Sequence, residues 1–233
     1  MRLSHLTALV SLTAILGLGG CVSSPPSQFY QLQSGAPELP EASSGVALLL
    51  GPMTVADYLQ RETLVQRQAD GSLTIDNGMR WAGSLQDDMA QLLVRQLASE
   101  LRTSRVAVYP DRIGFRPEVQ VLLNLVRLDS GPQQPAVLEA QWRLLDGKSE
   151  MRNTQMLRLQ GEHDGSVSDQ VRAQSELLKR LSEQLAMAIR PMMARTPVRG
   201  APKALTQAEP VKPAEETPRV PPPLRTDLEV YRF

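Results

Sequence analysis

Val119-Gln120-Val121-Leu122-Leu123-Asn124-Leu125-Val126-Arg127-Leu128 is apolar at seven of ten positions, with apolar residues on both strand faces, and Ser130-Gly131-Pro132 turns the chain just after it. A strand that can be buried on both faces belongs near the middle of a sheet. Residues 136–145 then alternate, with Ala136, Leu138, Ala140, Trp142 and Leu144 on one face and Glu139, Gln141 and Arg143 on the other. Only one face of that strand needs cover. Asp146-Gly147 marks the next turn, and residues 151–160 read as the return strand. The whole of 119–160 is therefore a three-stranded antiparallel meander.

Outward from the meander the chain supplies two helices and more strands. Leu85, Met89, Leu92, Leu93, Leu97 and Leu101 recur at helical spacing behind Ser84, with Asp87 three residues on as in a capping arrangement. Val171, Leu178, Leu181, Leu185, Ile189 and Met192 form a second stripe that starts near Ser168-Asp169 and ends at Pro191. Gln28-Phe29-Tyr30-Gln31-Leu32 alternates, Val46-Ala47-Leu48-Leu49-Leu50 is a buried run stopped by Gly51-Pro52, and Val106-Ala107-Val108-Tyr109 ends at Pro110. Residues 61–67 face Leu73-Thr74-Ile75 across Asp70-Gly71, a hairpin signal that ends just before Arg80-Trp81. The fold class is α+β: a single domain with a largely antiparallel sheet of about seven strands and two long helices packed on one face.

The two ends of the chain differ from this domain. Met1, Arg2 and an apolar run of about 13 residues precede Leu18-Gly19-Gly20-Cys21, too short for the roughly 20 residues that span a bilayer. Residues 1–20 read as a secretory signal peptide that ends in a lipobox. Cys21 is then the first mature residue and carries diacylglyceryl and N-acyl chains, with 21–27 a tether. Val22 stands where an Asp would signal retention in the inner membrane, which favours the periplasm-facing leaflet of the outer membrane. From Thr196 onward, prolines sit among Lys, Glu and Ala, so 196–233 reads as a disordered tail; only Leu228-Glu229-Val230-Tyr231-Arg232-Phe233 alternates like a strand. The domain occupies 28–195.

Composition narrows the chemistry. Basic and acidic residues number 25 each, which is no footprint for nucleic acid. The single cysteine rules out an internal disulfide, so the exported domain relies on its core. His163 is the one histidine of the mature chain and sits in the turn-like Gly161-Glu162-His163-Asp164-Gly165. Multi-histidine zinc sites are thereby excluded, and any catalytic triad would have to use His163, which reads as an exposed loop residue. No nucleophile elbow, phosphate loop or dinucleotide fingerprint occurs, so no catalytic residue, metal or further cofactor is assigned.

Four pieces in order carry a resemblance: the lipobox followed by Phe29-Tyr30 and Leu32; Gly51-Pro52 and Val55 leading to Tyr58-Leu59 and Arg61; Leu64-Val65 with Arg67; and Arg80-Trp81-Ala82 ahead of the leucine-rich helix. Together they resemble the paraquat-inducible protein C family, auxiliary lipoproteins of ABC-type and MCE-type intermembrane transport systems. Ala56 and Gly83-Ser84 depart from the family's usual residues at those points. The resemblance implies a non-enzymatic outer-membrane lipoprotein, a homo-oligomeric ring that receives an inner-membrane MCE-domain tunnel protein. Tyr58, Arg61, Arg80 and Trp81 are its candidate interface residues, and Arg127 and Arg143 are candidates to meet lipid phosphates. Two other readings stand beside it: a structural lipoprotein of another envelope assembly, and an envelope hydrolase built on His163.

Overall fold

The computed structural model describes residues 26–193 apart from Ser34, residues 42–44 and residues 112–113. The chain divides into two units, Met1–Thr196 and Pro197–Phe233, and every described residue belongs to the first. The signal peptide, Cys21, most of the tether, the proline-rich segment and the last six residues all lie outside the described residues.

Eight strands and two α-helices are described: β1 (Gln28–Tyr30), β2 (Leu48–Val55), β3 (Thr63–Arg67), β4 (Leu73–Trp81), α1 (Leu85–Glu100), β5 (Val106–Val108), β6 (Val119–Gly131), β7 (Gln134–Asp146), β8 (Met151–Gly161) and α2 (Val167–Met193). A short 3₁₀ turn, Asp57–Gln60, links β2 to β3. The strands form one open sheet with β6 at its centre. β6 pairs antiparallel with β7 along its whole length, from Val119↔Asp146 to Gly131↔Gln134, and β7 with β8 likewise. The opposite edge of β6 is shared end to end by two parallel partners, β2 up to Val55↔Leu125 and then β3 at Gln66↔Ser130. β5 flanks β2 in parallel, β4 flanks β3 antiparallel, and β1 flanks β4 in parallel.

The α+β class, the two helices and the meander are as the sequence pattern predicts. Two strands run five or six residues past their expected ends, and the other strand bounds shift by one to three residues. β2 continues past Gly51-Pro52 because a register shift between Leu50 and Met53 accommodates the proline, which has no N–H to give. Gln120 Nε2 donates to the Gly51 carbonyl at 2.8 Å, so the irregularity leaves that acceptor satisfied. β4 runs beyond Ile75 to Trp81 because β1 pairs with its last three residues. Asp76-Asn77-Gly78, which looks like a turn, becomes a bulge in which Asp76 Oδ1 accepts the Gly78 N–H at 2.8 Å.

Both helical stripes are buried. Met89, Leu93 and Leu97 of α1 and Leu178, Leu181 and Leu185 of α2 are fully covered, and they share one core with Leu50, Val121, Leu125, Leu138 and Trp142 of the sheet. Each such side chain contributes about 1.5–3 kcal/mol, so the core alone can hold together a domain whose sequence allows no internal disulfide. A polar seam ties α2 to the β3–β6 junction: Gln174 Nε2 donates to Ser130 Oγ at 2.8 Å, and Gln170 Oε1 accepts from Ser130 Oγ and from Gln66 Nε2, both at 3.1 Å. Gly131 closes that junction, since a Cβ there would lie 1.8 Å from the Arg67 carbonyl oxygen.

Candidate functional site

The end of β4 builds an open cleft. Strand alternation turns Trp81 into the core, where it is 6% exposed, and leaves Arg80 on the open side. β1 lies along one flank, with Phe29 opposite Arg80 and the Tyr30 carbonyl accepting the Ala82 N–H at 2.8 Å. On the other flank the Glu62 carbonyl accepts the Trp81 N–H at 2.7 Å. The chain then turns into α1, whose first turn Ser84 Oγ caps by accepting the Asp87 N–H at 3.3 Å. Phe29, Gln60, Glu62, Arg80 and residues 81–86 line a cleft of about 610 Å³. Phe29 is 64% exposed, and Arg80 forms an exposed ion pair with Glu62. A pair in water is worth about 0–1 kcal/mol, so an incoming group can exchange it at little cost. The cleft thus offers an aromatic face, a charge of each sign and the turn into a helix, which suits a protein segment.

Tyr58 belongs to a different place. Between the end of β2 and the start of β3, the edge of β6 has no strand partner, and the Tyr58 hydroxyl stands in for one. It accepts the Leu128 N–H at 3.2 Å and donates to Asp129 Oδ2 at 2.9 Å. Asp129, only 1% exposed, also accepts from Arg67 at 2.7 and 3.0 Å and from Arg127 Nε at 2.9 Å. Burial pushes the Asp129 carboxyl up, but the bonds from Arg67, Arg127 and Tyr58 outweigh it and hold the carboxyl below its usual value. Burial and then the Asp129 charge hold the Tyr58 hydroxyl well above the ordinary phenol range.

Of the four candidate interface residues, Arg80 and Trp81 line the cleft together, Trp81 mostly as floor. Arg61 is exposed beside Glu62, forms no ion pair or hydrogen bond among the described residues, and does not line the cleft. Phe29 and Glu62 complete the cleft, although sequence reasoning does not single them out as contacts. Phe29 stands in the motif of the resemblance, whereas nothing local marks Glu62 as the partner of Arg80.

The helix-free face of the sheet carries the two arginines considered for phosphate contact. Arg127 is committed to Asp129, with Glu139 further off at 3.9 Å. Arg143 is exposed beside a shallow groove of about 410 Å³ with Thr54, Asn124 and Gln141. His163 is half-buried instead of exposed: Gly165 N–H donates to Nδ1 at 3.0 Å, so Nε2 carries the proton and donates to the Gln134 carbonyl at 2.8 Å. The histidine ties the entry of α2 to the start of β7, and both nitrogens are occupied by backbone.

No curated protein matches the sequence. Among solved structures, the crystal structure of an uncharacterized protein superposes with a TM-score of 0.56 at 20% identity, covering 71% of this chain and 99% of that one. Protein XCC0632 from Xanthomonas campestris, of family DUF330, gives 0.57 at 16% identity, with 71% and 96% covered. A PelC dodecamer from Paraburkholderia phytofirmans is looser, at 0.37 and 11% identity with 73% and 95% covered. For the first two, at these identities, the likeness is one of fold. The model of a sequence family described as "ABC-type transport auxiliary lipoprotein component" matches residues 30–186, from the last residue of β1 through most of α2. With its fold shared by a DUF330 structure and its cleft inside the matched span but for Phe29, the chain belongs to the family of ABC-type transport auxiliary lipoprotein components.

Proposed function

We propose that the chain is a non-enzymatic docking subunit of an MCE/ABC-type intermembrane lipid transport system. Acyl chains on Cys21 hold it on the periplasm-facing leaflet of the outer membrane, it assembles as a homo-oligomeric ring, and an inner-membrane MCE-domain tunnel protein seats against it. The observation that carries this reading is the open Phe29–Glu62–Arg80 cleft on a member of a transport-auxiliary family. Anchors of this kind, an exposed aromatic beside an exchangeable guanidinium, are what protein interfaces use. The occupied ring of His163 supports a role without chemistry.

The test is a mild-detergent pull-down of the full-length lipoprotein from cell envelopes, alongside Cys21→Ala, Phe29→Ala and Arg80→Ala. An MCE-domain protein is expected with the parent, and the two cleft variants should lower its recovery about tenfold, the effect of losing one contact worth about 1.4 kcal/mol. Components of another envelope assembly without any MCE-domain protein would replace transport by a structural role.

A further inference from the structure

The direction of β1 orients the molecule. β1 runs parallel to β4, with Gln28 beside Met79 and Tyr30 beside Trp81. The chain therefore enters β1 from the side of the β3–β4 hairpin, opposite the cleft. Gln28 is the seventh residue after Cys21, a reach of at most about 24 Å. Arg80 and Leu73 pair with Thr63 and Arg67, four residues apart on β3, so the bulge leaves them about 13 Å apart at strand rise. A tether of this length can span from Gln28 to the hairpin tip.

That tip is suited to a lipid surface. Leu73 and Ile75 are 39% and 47% exposed, and alternation puts both on one face of β4. The polar groups around them have hydrogen-bond partners within the protein, although Asp70 and Asp76 keep their negative charge. Asp70 Oδ1 accepts the Ser72 N–H at 2.9 Å and the Ser72 hydroxyl at 2.7 Å; Asp76 Oδ1 takes the Gly78 N–H. Arg67 is bound to Asp129, and its Nη1 donates to the Gly71 carbonyl at 2.9 Å. Apolar side chains flanked by satisfied polar groups adsorb at the headgroup boundary, and a short tether makes even weak adsorption effective by keeping the patch at high local concentration.

We infer that the β3–β4 hairpin lies on the leaflet that takes the acyl chains of Cys21, with Leu73 and Ile75 at the headgroup boundary and the Arg80 cleft directed away from the membrane. This rests on the anchoring part of the proposed function. It gives the cleft a direction: the β4 end that carries it faces the space from which a partner arrives.

The experiment uses the acylated full-length protein in vesicles of phosphatidylethanolamine and phosphatidylglycerol that contain a nitroxide-labelled lipid. Acylated Cys21 has no free thiol, so a maleimide fluorophore marks single cysteines introduced by Ile75→Cys, Leu73→Cys, Ala82→Cys at the cleft and Met156→Cys on the far edge. Labels at 73 and 75 should be quenched at least threefold more than those at 82 and 156. Equal quenching at all four sites of acylated protein overturns the orientation and leaves the anchor standing. Mass spectrometry that finds no acyl chains on Cys21 overturns the anchor and the orientation together.

Discussion

Asp129 is the residue on which the irregular edge of β6 depends. It neutralises Arg67 and Arg127 and orients Tyr58, and these bonds form where no strand is available to pair. Removing one partner from a buried ionic cluster leaves charge uncompensated, so Asp129→Ala should cost about 3–5 kcal/mol in urea unfolding at neutral pH. The pH dependence has two limbs. The carboxyl's pKa is depressed in the folded state, so its stabilisation is present above the unfolded carboxylate value and fades as pH falls below about 4. The phenol's pKa is raised, so its contribution is present below about pH 10 and is lost as pH rises beyond it. Asp129→Asn should flatten the acid limb of a stability–pH curve, and Tyr58→Phe the alkaline limb; an unchanged acid limb in Asp129→Asn would remove Asp129 as its source.

At the scale of elements, the decisive contact is where β3 meets β6. A single backbone pair joins them, and it requires Gly131 against the Arg67 carbonyl. Gly131→Ala forces those backbones apart, and a loss of more than about 2 kcal/mol, read as a lowered urea midpoint, is expected. Ser84→Ala, which only removes a helix cap, should cost about 0.5–2 kcal/mol by the same measurement. These elements also show what local pattern reveals. The two helices and the meander are legible in sequence, because their periodicity and turns lie in contiguous residues. The parallel pairing of β1 with β4 and of β2 with β5 is not, because it joins distant segments whose register no local spacing records. Asp76-Asn77-Gly78 has the chemistry of a turn; only the partner strand makes it a bulge. The candidate site divides the same way: Arg80 and Trp81 adjoin in sequence and in space, whereas Glu62 reaches Arg80 by tertiary pairing and Tyr58 is drawn into the Asp129 cluster.

For the whole molecule, both helices and the central strands bury into one continuous core. Two tryptophans sit in different parts of it, Trp81 on the β1–β4–β3 side and Trp142 on the β6–β7–β8 side, 6% and 1% exposed. Because the core is shared, denaturation of a Trp81→Phe variant, followed through Trp142, and of a Trp142→Phe variant, followed through Trp81, should each coincide with that variant's own circular dichroism. Transitions that separate within one variant would show that the two sides of the sheet unfold independently.

The parallel pairing of β1 and β4 has a mechanical meaning. A pull on the chain ahead of Gln28, directed toward the β3–β4 hairpin, acts along the strand axis. The backbone bonds that β1 makes beside Met79, Arg80 and Trp81 are then loaded side by side, in shear, and share the force. Had β1 run the other way, the same pull would peel it from one end, one bond at a time. A tether ahead of the first strand and a load at the opposite end would strain the molecule along that line, the direction in which the short β1 ladder resists best.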